Sequence, residues 1–400
     1  MPAMRDVSKN AGNGIGGPLK PIRVLMVAPS FHPAHLHGGS TVVNLAIASE
    51  LTRREDVELT VLTTTGGRAG RESRDVTPYG WRRHAAGFCI RWCRTAVAGC
   101  WSWEMLFALP GRMLRADCIH LVATFSWNVP TVLVLALLLR KLVVWMPHGA
   151  IQEVMIQQSR PRLKLVWLGA LRLLARGLSM RAIVSSDIEF EAFQKLFPET
   201  EAIVISHGVN IPKQMPAWSP DSEGRLRLIV LSRLAPQKGI DRLLRALPKV
   251  RARWRLDIHG EGTELARLMA LADELGLSDR VRFHGISTSD THRAVFSDAD
   301  LLVLQSLWEA FGMVVPEALG HGVPVLASRA SPWSVLEKED LGFWREATPE
   351  MLAAAIDEAA DRDLRSMGER ARQWVERNLE WRIAADKELG VIRNLLGHRT

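Results

Sequence analysis

Apolar residues along this chain come in short unbroken runs set between longer stretches of helical spacing. The runs at 22–28, 57–62, 142–146, 182–185 and 202–205 are short and almost uniformly apolar. They predict strands buried on both faces of a parallel sheet. Between them a helix is expected from Gly38-Gly39-Ser40 to about Thr52, a buried helix over 129–139, and another helix after Asp187. The second half repeats the alternation more cleanly. Strands are expected at 226–231, 255–259, 281–284, 301–304 and 323–327, with helices at 239–250 and 263–275. Strands alternating with helices of this length imply right-handed βαβ units and a parallel sheet. The predicted fold class is α/β, with two Rossmann-like doubly wound domains in tandem. Ligands of such sheets bind beyond the carboxyl ends of the strands. The Trp- and Arg-rich stretch 68–115 shows no such period and is expected to be irregular.

At 400 residues the chain exceeds what one hydrophobic core normally holds. The Gly-rich, polar segment 1–21 predicts a disordered tail. It contains Gly12-Asn-Gly14-Ile-Gly-Gly17, which spells a dinucleotide fingerprint but precedes the first strand and opens no helix. The first domain is expected over 22–211, a Pro-rich linker over 212–224, and the second domain over 225–376. Charge divides the chain as well. Residues 1–215 carry 25 Lys and Arg against 15 Asp and Glu, whereas residues 216–400 carry 26 against 28. The basic first half suggests an anionic partner: a phosphorylated acceptor, a membrane surface or nucleic acid. Nucleic acid is disfavoured, because no stacking-aromatic module is recognisable. The four cysteines, Cys89, Cys93, Cys100 and Cys118, lack zinc-site spacing and read as reduced thiols. The apolar runs at 22–28 and 129–139 are too short to span a bilayer. Together these features point to the cytoplasm.

The unusual polar residues fall at the predicted strand ends. Ser232-Arg233-Leu-Ala-Pro-Gln-Lys238-Gly239 puts two cations ahead of a helix, suited to a diphosphate. Glu309-Ala-Phe311-Gly312-Met313-Val314-Val-Pro-Glu317 flanks a Phe-Gly step with two carboxylates. The backbone N–H groups there suit phosphate. The carboxylates would repel it and are better used on sugar hydroxyls. Gly260-Glu261-Gly262 and His284-Gly285-Ile286 let backbone approach a flat ligand. Gly38-Gly39-Ser40 and Pro147-His148-Gly149 end strands of the first domain. His32, His35 and His37 surround the former as loop histidines, and no metal site is expected. In 162–176, Leu163, Val166, Trp167, Ala170, Leu171 and Leu174 share one helical face, opposite Arg162, Arg172 and Arg176. Leu165, Leu168 and Leu173 add further apolar surface. Such a helix can lie in an anionic membrane interface. A core helix with a solvated edge fits the same spacing.

The E-x7-E pattern with Phe-Gly, together with R-x4-K-G, resembles the retaining GT-B glycosyltransferases of family 4 (group 1) over about 22–390. The resemblance implies a cleft between two facing domains, with a nucleotide-sugar donor as co-substrate and no bound metal. By that resemblance Arg233 and Lys238 hold the pyrophosphate, joined by backbone at Gly312, Met313 and Val314. Glu309 binds the transferred sugar and Glu317 the ribose, while Gly285 and Ile286 lie at the base. Gly39 approaches the donor phosphate, and His148 contacts the donor sugar. Trp381 matches the segment, 377–400, that crosses back onto the first domain. The acceptor would be a saccharide or lipid-linked. Two departures are visible: His207-Gly-Val-Asn210 for Asn-Gly-Val-Asp, and Ala330-Ser-Pro-Trp333 for a Gly-Gly turn. The latter looks like the branch that builds bacterial surface polysaccharide and lipopolysaccharide. A sugar-nucleotide epimerase and a non-catalytic nucleotide-sugar binder are the alternatives, and both fit the two motifs less well.

Overall fold

The structure is a computed structural model. It describes residues 20–33, 39–66, 76, 80–95, 101–215, 218–287 and 289–397, apart from the side chains of 289–292. The tail, His35, His37, Gly38 and Cys100 lie outside the described residues.

The first half contains β1 (Ile22–Ala28), α1 (Gly39–Thr52), β2 (Val57–Thr64), β3 (Arg82–Arg83), β4 (Cys89–Cys93), α2 (Trp103–Arg115), β5 (Cys118–Val122), α3 (Asn128–Leu138), β6 (Leu142–Met146), α4 (Glu153–Gln157), α5 (Pro161–Ala175), β7 (Met180–Val184), α6 (Asp187–Leu196) and β8 (Glu201–Val204). The strands form one sheet in the order β3-β4-β2-β1-β5-β6-β7-β8. It is parallel except for β3, which runs against β4. The second half contains β9 (Leu226–Leu231), α7 (Ile240–Ala246), β10 (Trp254–His259), α8 (Leu265–Glu274), β11 (Val281–Phe283), α9 (Ser289–Ser297), β12 (Leu301–Leu304), α10 (Val314–Gly320), β13 (Val325–Ser328), α11 (Val335–Lys338), β14 (Gly342–Arg345), α12 (Pro349–Ala360), α13 (Leu364–Asn378) and α14 (Trp381–Gly397). Its sheet, all parallel, runs β11-β10-β9-β12-β13-β14.

Each sheet is covered on both faces. In the first, Val24, Met26, Ile47 and Leu51 pack with Ala385, Leu389 and Ile392 of α14 on one side. Leu25, Val27, Leu109, Leu133 and Leu171 pack on the other. Burial on both faces explains why β6 reads as an unbroken apolar run, whereas β5, interrupted by the buried His120, was not among the expected strands. The last helix thus belongs by packing to the first sheet, although it follows the second in sequence. Ion pairs from Arg54 to Asp386, 2.6 Å, and from Arg393 to Asp56, 2.5 Å, flank that contact. The chain passes between domains twice, at adjacent points. Val209 N donates to Leu379 O at 2.8 Å, and Gly208 lies so close that a Cβ would come within 2.6 Å of the Trp381 backbone.

Four expectations need correction. The stretch 68–115 is not irregular throughout, because it includes β4 and α2. Ser102 caps α2 by accepting from Met105 N, Glu104 sits in its first turn, and Arg112 and Arg115 sit in its last. Pro110 inside the helix disguised the period. The helix at 239–250 ends early, turning to 3₁₀ geometry over Leu247–Lys249, where Pro248 removes a donor. The helix α3 is buried on one side only, since Leu138 is 72% exposed. In α5 the buried residues are Leu168, Leu171 and Ala175, whereas Leu163 and Val166 face outward. The expected apolar stripe was rotated, because the helix is apolar on most of its circumference.

Candidate active site

The strand order of the second sheet reverses between β9 and β12, so a crevice opens where their following loops diverge. The residues singled out for chemistry fall in those two loops. They are tied together by backbone: Leu307 N donates to Gln237 O at 2.8 Å, and the Gln305 side-chain amide donates to Lys238 O at 2.8 Å. Gly239 sits at φ +59°, and a Cβ there would come within 2.6 Å of Gln305 O. Only glycine serves at that approach. The Lys238 ammonium is thereby carried to Glu309, with which it forms an ion pair. Ser306 Oγ donates to the same carboxylate oxygen at 2.8 Å. Glu309 N donates to Ala330 O at 3.1 Å, which fixes the backbone as well. Glu309 is buried, whereas Arg233 on the facing loop is exposed.

Phe311 is buried between Trp333, 5.2 Å away centre to centre, and His207, at 5.0 Å. The Trp333 indole N–H donates to Phe311 O, so the departure at Ala330–Trp333 forms the wall behind the Glu309 loop. Trp344 braces that wall, donating to Ser331 O at 3.1 Å. Gly312 takes φ +81°, and α10 begins two residues later at Val314. Met313 packs against the apolar cores of both domains. Glu317 is half-buried on α10, and burial pushes its carboxyl up to about 7. At the far edge, Gly285 follows β11 with φ +73° and accepts from Gly260 N at 2.6 Å, while Ile286 is exposed.

The first domain meets this surface with its own strand-end loops. Gly39, at the start of α1, is placed so that a Cβ would lie 3.7 Å from Met313 Cγ. His148 follows β6 in a left-handed conformation, φ +53°. Its Nε2 lies 3.1 Å from Asn44 Oδ1 of α1, and its ring is 5.6 Å from that of His207. Burial lowers His207 to about 4, so it is a neutral imidazole at physiological pH. Gly149, at φ +71°, abuts the opposite domain so closely that a Cβ would sit 2.2 Å from Ala310 Cβ. Ser186 Oγ donates to Ala310 O across the same junction at 3.1 Å. The fully buried Glu189 accepts from Gly149 N, from Ser185 N at 2.8 Å and from Ser185 Oγ at 2.7 Å. Desolvation raises its carboxyl above the usual range against those donors.

His148, Gly39, Phe311, Gly312, Met313, Glu309, Lys238 and Arg233 therefore surround one interdomain cleft, with Glu317 on the helix that leaves it. Gly285 and Ile286 lie on the flank of the second sheet. Sequence reasoning missed Ser306, Asn44, Glu189, His207 and Trp333. Of these, His207 and Trp333 had a signal, since each lies in a departure from the family pattern. Among the described residues no cluster of three His, Cys, Asp or Glu could hold a metal.

Two doubly wound domains facing one cleft, with cations and carboxylates at the switch point, define the GT-B architecture. Residues 213–379 match the sequence model described as Glycosyl transferases group 1, and this domain belongs to that family. A GDP-mannose-dependent α-(1-6)-phosphatidylinositol monomannoside mannosyltransferase of Mycolicibacterium smegmatis is 32% identical over 193 residues, which is 42% of this chain and 50% of the relative. The aligned stretches span 34% to 64% of the length of the first curated relatives. The fold extends further. Sucrose-phosphate synthase from Thermosynechococcus elongatus superposes with TM-score 0.71 at 18% identity, over 94% of this chain and all of that one. WaaG, a glycosyltransferase involved in lipopolysaccharide biosynthesis, superposes with TM-score 0.64 at 19% identity, over 92% and 99%.

Proposed function

We propose that the chain is a retaining hexosyltransferase that moves a sugar from a nucleotide-sugar donor to a lipid-linked or cell-surface saccharide. The observation that carries this reading is the Lys238–Glu309 pair at the β9/β12 switch point, with Arg233 across the crevice. A carboxylate beside a cation suits the two ends of one ligand: hydroxyls of the transferred sugar on Glu309, the diphosphate on Lys238 and Arg233. As the sugar departs, negative charge grows on the leaving diphosphate, and the two cations stabilise it without a bound metal. The backbone at Gly312, Met313 and Val314 faces the same diphosphate. Glu317 takes the ribose hydroxyls, and Gly285 and Ile286 border the base. His148, held by Asn44, contacts the donor sugar from the first domain, and Gly39 stands beside the phosphates. Retention follows if the acceptor attacks from the face the leaving group vacates and gives its proton to the departing phosphate. The M. smegmatis relative is named for a phosphatidylinositol-based acceptor, which supports a lipid-linked acceptor here. On this reading the enzyme works in the cytoplasm, peripherally at the inner face of the cell membrane.

The test is nucleotide release from UDP-, GDP- and ADP-sugars with and without saccharide acceptors, with the product anomer read by NMR. One donor should dominate, and the anomeric configuration should persist. An epimerised donor formed without acceptor, or an inverted product, would overturn the proposal.

A further inference from the structure

The first domain exposes an unusual amount of large apolar side chain, and it is concentrated on α2, α3 and α5. On α2, Phe107 is 80% exposed, with Trp103 and Leu114 on the same face. On α3 the outward residues are Val134, Leu137 and Leu138, preceded by Trp127. On α5, Leu163, Val166 and Leu173 recur at three- and seven-residue spacing, with Leu165 beside them. The three helices are neighbours, α2 against α3 and α3 against α5, so these residues form one face. Lys141 of the α3–β6 turn joins two of them by donating to Leu114 O at 3.0 Å and Ala116 O at 2.8 Å. Soluble monomers rarely leave so large a contiguous apolar area uncovered.

Two observations identify what covers it. First, the face has an indole border. Trp101, Trp103, Trp127 and Trp167 contact one another edge to face, with centroids 5.2 to 6.3 Å apart. Indole rings favour the boundary between headgroups and acyl chains. Secondly, the border is basic. Arg115, Arg160 and Arg162 are exposed at the ends of α2 and α5, within a half of the chain that carries net charge +10. Arg172 and Arg176 contribute less, because both pair with Glu199 at 2.6 Å. An apolar face edged by indoles and guanidinium groups complements an anionic bilayer, whereas a flat protein partner would leave those cations unneutralised.

We propose that the outer face of α2, α3 and α5 seats on an anionic lipid bilayer, Phe107, Leu138 and Val166 entering the acyl boundary. The Trp border also ties the face to the cleft. Trp167 Nε1 donates to Thr124 O at 3.0 Å, and Thr124 Oγ1 reaches Pro147 O, one residue before His148, at 3.5 Å. The seated face therefore brings the cleft rim to the membrane plane. That consequence, though not the seating itself, rests on the transferase reading above.

The experiment is co-sedimentation of the full chain with vesicles of phosphatidylcholine alone or with phosphatidylglycerol, without donor or acceptor, at low and high salt. The wild-type chain should sediment with the anionic vesicles at low salt. The triple change Phe107→Ser, Leu138→Ser, Val166→Ser should lower partitioning at least about tenfold, and Arg115→Glu with Arg162→Glu about fivefold for each charge removed. All five positions are exposed, so thermal melting should be unchanged, and activity on a short soluble acceptor should persist. Absence of wild-type binding, or unaltered binding by the triple variant, would overturn the seating. A stable dimer that the triple variant dissolves would assign the face to a second copy instead. Because vesicle binding is read without catalysis, its failure is distinct from failure of the transferase reading.

Discussion

The two domains share a fold and differ in what they show to solvent. Among the described residues, the first exposes Phe107, Leu138, Val166, Leu173 and eleven other large hydrophobic side chains, whereas the second exposes few beyond Met269, Ile286, Leu307 and Met351. The second domain is instead laced with ion pairs. Arg227 and Arg255 engage Asp298 and Asp300 or Asp257, and Asp340 binds both Arg362 and Arg370. Its polarity gathers again at the switch point as Arg233, Lys238 and Glu309. The first domain contributes to the cleft mostly close backbone approach: Gly39 to Met313 and Gly149 to Ala310. On the reading proposed above, the second domain holds a small charged ligand from solution. The first would meet a membrane surface and close on what the second holds.

The strongest way to break this contrast is Glu309→Ala. If Glu309 holds the sugar in the transition state, turnover should fall at least about 10³-fold. A folded variant with wild-type turnover would remove Glu309 from the site. Next come Lys238→Ala and Arg233→Ala, each expected to lower kcat about 10- to 10³-fold. They separate by stability. Lys238 neutralises the buried Glu309, so its loss should also lower Tm, while Arg233 is exposed and its loss should leave Tm unchanged. Equal kcat losses with no difference in melting would mean that the ion pair does not hold the loops.

Gly149→Ala tests the first domain's share. A Cβ at φ +71° and 2.2 Å from Ala310 must move the two loops apart. A loss of about tenfold in kcat/KM is expected from the misplacement. Small-angle scattering should show a wider cleft, and an unchanged profile with full activity would show that the contact is dispensable. The smallest effect is expected at Glu317. Its carboxyl is raised by burial to about 7 from an ordinary 4.5, so the folded protein binds a proton that the unfolded chain releases. Stability should therefore fall as pH rises from about 4.5 to about 7, and Glu317→Gln should flatten that slope in melting curves. The same variant should raise the donor KM with little change in kcat, because ribose contact is made equally in ground and transition states. A large kcat loss at unchanged KM would contradict the ribose role.

The charged site was legible because it uses short local motifs. Arg233 and Lys238 stand in one loop, Glu309 in another with Glu317 on the helix that follows it, and glycines mark the close approaches. Its supporting groups were not legible. Ser306 is an ordinary serine until its hydroxyl is seen on Glu309, and Trp333 marks only a departure from a Gly-Gly turn until its indole is seen on Phe311. Asn44 lies 104 positions from His148, so no local spacing could pair them. The α2 helix was missed because Pro110 interrupts its period.

The sequence by itself determined most of the strands, the burial of the central ones on both faces and the strand-end placement of the cations and carboxylates. These follow from local apolar runs and from the chain geometry of βαβ units. Only the tertiary structure decided which face of α5 is buried, how α2 and α3 extend its exposed surface, and how Gly149 meets Ala310. Those outcomes depend on neighbours distant in sequence: a helix apolar on most sides can turn either way, and the side that finds a sheet is buried while the other is left for a partner.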